Sequence, residues 1–400
     1  MNILYLCDEY PPGQHGGIGT SVCLLARAMV KLGHNVIVAG LYSPGFGGEN
    51  EFEDEGVKVY RFRWKFDYKW LGKRQSLIFR AVNRILKETG LMERDIENSL
   101  ASYKIQLEKI IAAHKIDIVE MPDYNDYVRF TRSYMPFPLL TVPTIVKMNG
   151  SISYFAKEAT LPVARDIFKM EQAILNQAAA VSAASNYTAT KSAGYFSYPK
   201  KIEVLYNGIN TNVPIGNVSK NTQQVIFTGT LVQKKGIYQL AKAWNIVAEQ
   251  KPDARLLILG KGSRQKVVSL LNAKAKHTVL FMGHVTTEKL YGYLAGSSVA
   301  IFPSYSEAFA LAPLEAMACG TAVINSNRTS GPELVDDREN GLLIDPDNIE
   351  EIARAILYLL YNPVIAGKLA KNGMRKVKEC FDINDIAIKN LCFYNQILNR

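Results

Sequence analysis

The sequence predicts an α/β protein made of two doubly wound, Rossmann-like units in succession. Three observations predict it. Short apolar runs of strand length, bounded by Gly, Pro and Asn, recur along the chain. Segments of helical periodicity separate them, so successive strands read as βαβ units of a parallel sheet. The series stops and restarts once, near Lys200 to Val225, where Pro199, Asn207-Gly208, Pro214 and Gly216 cluster. The expected domains are therefore 1–205 and 206–381, and 400 residues with 48% hydrophobic content suffice for two cores.

The first series opens with a buried strand at Asn2–Cys7. A Gly-rich loop follows, Pro11 to Thr20, and then a helix from about Ile18 to Leu32. Gly33-His34 ends that helix, and Asn35–Ala39 makes the next strand. Strand runs recur at 118–120, 144–148 and 180–182, and residues 76–114 carry Ile, Leu and Tyr at helical spacing. In the second series the strands are expected at 224–228, 255–259, 278–282, 299–302 and 322–325. The helices between them are expected near 236–250, 262–276, 287–295 and 313–319.

The formal net charge of +10 is spread over both halves rather than gathered in a tail. A mild basic surplus suits anionic substrates, lipid phosphates or an acidic membrane surface. Nucleic acid is not expected as a partner, because no zinc-finger spacing, RNP-type run or basic zipper is present. Five cysteines without a Cys-x-x-Cys pair argue against a disulfide framework and for a reducing compartment. The N-terminus reads as a strand, not a signal peptide. No apolar stretch reaches the ~18 residues of a membrane span. A cytoplasmic location is expected, with the inner membrane face as a possible peripheral station.

Six segments carry candidate chemistry. Ser304 to Gly320 contains Glu307 and Glu315 in a Glu-x7-Glu spacing, after the apolar run 299–302. Pro313 suits a first helical turn. Glu307 is thus expected on a loop at a strand's carboxyl end and Glu315 in the first turn of the following helix. Amides between Phe309 and Pro313 would form an anion site beside them. In the Gly-rich loop, Gly13, Gly16, Gly17 and Gly19 allow either a tight strand-to-helix turn or close approach of amides to a phosphate. His15 in that loop reads first as exposed. The spacing is not Gly-x-Gly-x-x-Gly, and no acidic residue follows Val38-Ala39-Gly40, which argues against a dinucleotide fold. Lys234-Lys235 follows a strand and precedes Gly236; alone, such a pair is ordinary solvated surface. Asn149-Gly150-Ser151 follows a strand, as does Asp123 to Asp126, which is either a ligand-binding edge or a solvated turn. Finally, Val59 to Trp70 alternates aromatic and mostly basic residues. That pattern reads as a half-buried strand, or, in its later part, as a basic aromatic loop for a membrane or a lipid-linked acceptor.

With these segments in order, the whole chain resembles the retaining glycosyltransferases of family 4. Asn207-Gly208-Ile209-Asn210, Gly229-Thr230-Leu231 with Lys235-Gly236, the run from Leu256 to Gly262, and Glu333-Leu334-Val335 with Asn340-Gly341-Leu342 add to the likeness. The resemblance implies the GT-B fold, in which two Rossmann-like domains face each other across a cleft. It also implies that a last helix, about 382–400, returns to the first domain. Domain 1–205 would serve the acceptor and 206–381 the donor.

By the same resemblance, Lys235 clamps the donor diphosphate. Glu307 accepts hydrogen bonds from sugar hydroxyls and Glu315 from ribose hydroxyls, and Gly16, Gly17, Phe309, Ala310 and Leu311 line the donor site. The loop of Gly331 and Glu333 would border that site. Two positions depart from the pattern. Thr230 stands where the family has an Arg, with Lys234 as a substitute, and Asn149 stands where many members have a His. Asn149 can still donate and accept hydrogen bonds but cannot act as a base. The implied function is retaining transfer of a sugar from a nucleoside diphosphate sugar to a glycan or lipid-linked acceptor, in polysaccharide or glycolipid synthesis, with no metal or other cofactor. The leaving phosphate oxygen would take the acceptor's proton. A non-catalytic sugar-nucleotide binder and a sugar-nucleotide epimerase of the same fold are the alternatives.

Overall fold

The structure, a computed structural model, describes every residue except 14, 66–84, 86–87, 132–133, 217 and 400. It divides into two compact units, Met1–Gly208 with Ile386–Arg400, and Ile209–Asp385. The divisions thus fall a few residues beyond the expected 205/206 and 381/382. The reason is local: Ile209 donates its N–H to the carbonyl of Phe381 at 3.0 Å and accepts from Ile383 N–H at 2.9 Å. These bonds tie both crossing segments into the second unit.

The first unit holds β1 (Asn2–Leu6), α1 (Gly17–Lys31), β2 (Asn35–Tyr42), β3 (Glu51–Asp54), β4 (Val57–Arg63), α2 (Leu91–His114), β5 (Ile118–Pro122), β6 (Thr144–Met148), α3 (Ile152–Glu158), α4 (Arg165–Gln177), β7 (Ala180–Ala183), α5 (Asn186–Phe196) and β8 (Ile202–Val204). Its sheet runs β3-β4-β2-β1-β5-β6-β7-β8, parallel except for the edge hairpin β3–β4. Helix α1 forms because Leu25, Ala26, Ala28 and Met29 bury one face. It stops at Gly33, whose φ of +85° suits a left-handed cap.

The alternating stretch is a strand only as far as Arg63. Tyr60, Phe62 and Trp64 pack on the core as expected. The opposite face is not solvated, however. Arg61 is 3% exposed and donates to the carbonyls of Tyr10 (2.9 Å) and Pro12 (2.8 Å), with Phe46 and Phe52 against its guanidinium. A parallel strand inside a sheet is covered on both faces, so its polar residues must find partners. The later aromatics of the stretch lie outside the described residues, as does most of 76–90.

The second unit holds β9 (Asn221–Thr228), α6 (Ile237–Gln250), β10 (Arg255–Leu259), α7 (Arg264–Val268), α8 (Ala273–Lys276), β11 (Val279–Gly283), α9 (Thr287–Ala295), β12 (Ser297–Phe302), α10 (Leu311–Ala318), β13 (Ala322–Ser326), α11 (Gly331–Leu334), β14 (Leu342–Ile344), α12 (Ile349–Tyr361) and α13 (Pro363–Cys380). Its sheet is wholly parallel in the order β11-β10-β9-β12-β13-β14. Trp244 is fully buried at its core and donates its indole N–H to Thr278 at 2.8 Å. The helix expected over 262–276 is two short helices. The side chain of Asn272 caps the second by accepting Ala275 N–H at 2.8 Å, which fixes a new start.

The last helix, α14 (Ile383–Leu398), belongs from Ile386 onward to the first unit. Tyr394, fully buried, donates to the Glu120 carboxylate on β5 at 2.7 Å and meets the Tyr5 hydroxyl at 3.3 Å. Among the described residues no single helix is long and apolar enough to cross a membrane, and all five cysteines are free.

Candidate active site

In the second unit the strand order reverses between β9 and β12. Ligands of open α/β sheets bind in the crevice at the carboxyl ends of the strands flanking such a point. Lys235 follows β9, Glu307 follows β12, and the two form an ion pair. Gly236 makes this possible. Its φ is +69°, and a Cβ there would lie 1.8 Å from the carbonyl oxygen of Pro303. Only glycine lets the turn before α6 lie so close to the end of β12. The backbone carbonyl of Lys234 accepts Tyr305 N–H at 2.8 Å, a further link between the two loops.

Burial pushes the Glu307 carboxyl up, but Lys235 and Lys234, with a hydrogen bond from Ser304, outweigh it and hold the group below its ordinary value. Glu307 is therefore an anion. Lys234 is pushed down to about 8 by burial and by the like charge of Lys235, against the attraction of Glu307. Glu315 is pushed up to about 7 by burial.

Helix α10 begins at Leu311, two residues earlier than expected, with Ala310 as N-cap and no capping side chain. Glu315 consequently sits in the second turn, not the first. The sequence misled because Ala310 and Leu311 carry none of the usual cap chemistry, so Pro313 stood out as the start. An uncapped helix N-terminus offers backbone N–H groups to an anion. Phe309 precedes the helix and packs on Phe381, ring centroids 5.8 Å apart. Thr230 is exposed in the loop after β9.

Three residues that sequence reasoning missed belong to this site. Thr329 takes a left-handed φ of 52° and accepts the N–H of Glu307 at 3.3 Å. Through it the loop leading to Gly331 and Glu333 reaches Glu307. Strained backbone in contact with a candidate site residue is a common mark of function. The hydroxyls of Ser306 and Ser330 are buried with no hydrogen-bond partner among the described residues. No pattern of spacing marks such residues; the signal is their burial.

The first unit carries Gly16, Gly17 and Asn149. Here the expected phosphate cradle is altered. The Glu9 carboxylate accepts Gly19 N–H at 2.8 Å at the start of α1, and a Cβ on Gly16 would lie 3.2 Å from it. An internal anion thus occupies part of the helix N-terminus. A Cβ on Gly17 would meet nothing within 4 Å, so Gly17 borders open space. His15 is exposed and pairs its ring nitrogen with the Gly13 carbonyl at 2.8 Å.

Asn149 is held by its backbone: its N–H donates to Asp123 at 2.8 Å, and its side-chain amide donates to the Lys147 carbonyl at 3.2 Å. Asp123 is 4% exposed, not a solvated turn, and burial pushes it up to about 7. Glu171 fills the N-terminus of α3, accepting Ile152 N–H (2.9 Å), Ser153 N–H (3.1 Å) and the Ser151 hydroxyl (2.9 Å). Among the described residues no group of three or more His, Cys, Asp or Glu is placed to hold a metal ion.

Two family models match the chain. One, described as "Glycosyl transferases group 1", matches residues 209–376; the other, described as "Glycosyltransferase Family 4", matches residues 15–213. An uncharacterized glycosyltransferase of Methanocaldococcus jannaschii is 25% identical over 98% of each chain. Sucrose-phosphate synthase of Thermosynechococcus elongatus shares the fold with a TM-score of 0.74 at 19% identity, over 100% of both chains. HepE of Anabaena, solved with UDP and glucose, does so with a TM-score of 0.68 at 17% identity, covering 99% of this chain and 100% of that one.

Proposed function

Because the chain belongs to the group 1 and family 4 glycosyltransferases, with the GT-B fold, we propose that it moves a sugar, with retention, from a nucleoside diphosphate sugar to a glycan or lipid-linked acceptor. The observation that carries this reading is the Lys235–Glu307 pair at the switch point of the second unit, with Glu307 on the loop that leads to the uncapped start of α10. A cation and helix amides suit a diphosphate; a carboxylate fixed beside them suits sugar hydroxyls. The UDP and glucose bound to HepE support the same kind of donor here.

In the proposed reaction the bond from the anomeric carbon to the diphosphate oxygen breaks. The bond to the acceptor oxygen forms on the same face, and the acceptor proton passes to the departing phosphate. Lys235 and the amides around Ala310–Leu311 meet the charge that develops on the diphosphate, with Lys234 adding to it, so no metal is required for that step. Glu307 holds the sugar and Glu315 the ribose. Asn149 orients a hydroxyl without exchanging its proton. Polysaccharide or glycolipid assembly at the cytoplasmic membrane face is the proposed setting, supported by the net charge of +10.

The test is turnover with a panel of nucleotide sugars and glycan or lipid acceptors, followed by NMR of the product's anomeric centre. Product with the donor's anomeric configuration supports the proposal. Inverted product overturns retention, and isomerised sugar nucleotide without an acceptor overturns transfer.

A further inference from the structure

Three loops of the second unit follow the adjacent strands β12, β13 and β14. One side chain ties them together. Arg328, on the loop after β13, donates through one terminal nitrogen to Asp345 (2.8 Å) and Asp347 (2.5 Å), both on the loop after β14. Its guanidinium also lies over the ring of Tyr305, on the loop after β12, 5.3 Å from the centroid. Tyr305 closes the triangle by donating its hydroxyl to Asp347 at 2.8 Å. The proposed reaction uses none of these four residues. Two of them adjoin its machinery in sequence. Tyr305 lies two residues before Glu307, and Arg328 lies immediately before Thr329, whose hydroxyl accepts the Glu307 N–H at 3.3 Å.

The ion pairs are poor stabilisers of the fold. The side chains of Arg328, Asp345 and Asp347 are 36%, 41% and 61% exposed, and pairs so exposed add little to stability. What they hold is a strained turn. The Arg328 carbonyl accepts Gly331 N–H at 3.0 Å. Between them Thr329 has a φ of 52°, and Ser330 a φ of −75° with ψ at 0°. Those φ angles follow a type II′ turn, whose first central position favours glycine. A β-branched residue there is strained, and such backbone persists only where its surroundings over-determine it. Arg328 opens this turn and is anchored to two other loops. We propose that Arg328 is a positioning residue: through Tyr305, Asp345 and Asp347 it keeps Thr329 in its left-handed conformation, and so fixes where Glu307 meets the donor sugar. The proposal rests on the transferase reading and gives Arg328 no contact with substrate.

Turnover would be followed with UDP-glucose, GDP-mannose and ADP-glucose, each offered glycan and lipid acceptors, and the Kd of UDP, GDP and ADP by calorimetry. The full chain would be compared with Arg328→Gln, Thr329→Gly and the double variant. Arg328→Gln should lower kcat about tenfold to a hundredfold, the size of effect that a small misplacement of a substrate-holding group produces, while nucleotide Kd stays at the wild-type value. Thr329→Gly supplies the residue that the turn prefers but removes the hydroxyl, so it should lose a similar factor. The double variant should lose no more than either single one, because both act on the same hydrogen bond. Should Arg328→Gln fail to fold, Tyr305→Phe removes only the bond to Asp347 and should still lower kcat alone. Unchanged kcat in the folded variants overturns the proposal. So does a parallel loss of nucleotide affinity, which marks general damage to the unit, and so do additive losses in the double variant. Nucleotide binding and turnover both absent from the wild type overturn the transferase reading, and the role of Arg328 with it.

Discussion

Lys235 and Glu307 pair across the point where the second unit's strand order reverses, each on the loop that follows one of two adjacent strands. The pair joins a cation suited to phosphate with a carboxylate suited to sugar. It also keeps Glu307 ionised despite burial, through the charge of Lys235. In the free protein Lys235 thus holds Glu307 in its charged form.

The first prediction concerns this coupling. Lys235→Ala should lower kcat/KM by about 10²–10³, the size found when one transition-state donor is removed. It also strips Glu307 of its cation. The combined Lys235→Ala and Glu307→Gln variant should therefore lose less than the sum of the single losses. A double-mutant cycle on kcat/KM checks this, and strict additivity would refute the coupling.

Glu315 and Lys234 predict a bell-shaped pH dependence of nucleotide affinity. Burial pushes Glu315 up to about 7, so below that pH it is protonated and accepts ribose hydroxyls poorly. Lys234, pushed down to about 8 by burial and by Lys235, loses its charge above that pH. Affinity should rise through pH 7 and fall above 8. Glu315→Gln should flatten the acid limb, and Lys234→Gln the alkaline one, in titrations across that range.

Gly236→Ala should disable the site from within the fold. The new methyl group would overlap the Pro303 carbonyl, and the left-handed φ adds about 1–2 kcal/mol. The turn must move, and Lys235 with it. Thermal unfolding should show a lower Tm, and nucleotide affinity should fall by a larger factor than the drop in stability accounts for at the assay temperature.

Tyr394→Phe should act on the first unit alone. It leaves the buried Glu120 carboxylate without its 2.7 Å hydrogen bond, at a cost of about 1–3 kcal/mol. Denaturant unfolding should show that loss, while nucleotide affinity stays at the wild-type value.

Much of this was legible in the chain. The strands at 144–148 and 255–259 were bounded to the residue, because apolar runs there end in Asn, Gly or charged residues. β3 was not legible: Glu51–Asp54 is acidic, half-exposed and held only as an antiparallel edge. The start of α10 was hidden by apolar residues at its cap. Glu9 could not be read as filling the start of α1, since nothing in its neighbourhood signals a carboxylate turned back on Gly19. Thr329, Ser306 and Ser330 carry their signal in dihedral angle and burial, which exist only once the loops are folded. Residues set by local pattern were readable; those set by contacts between distant loops were not.

The central claim is that the second unit's switch point is a nucleotide-sugar pocket built on Lys235, Glu307 and Glu315. Calorimetric titration of UDP, GDP and ADP into the wild type, Lys235→Ala and Glu315→Ala tests it most directly. The account predicts binding of one nucleotide in preference to the others, weakened at least tenfold in both variants while both remain folded. Failure of the folded wild type to bind any of the three, or equal binding by all three proteins, would contradict it.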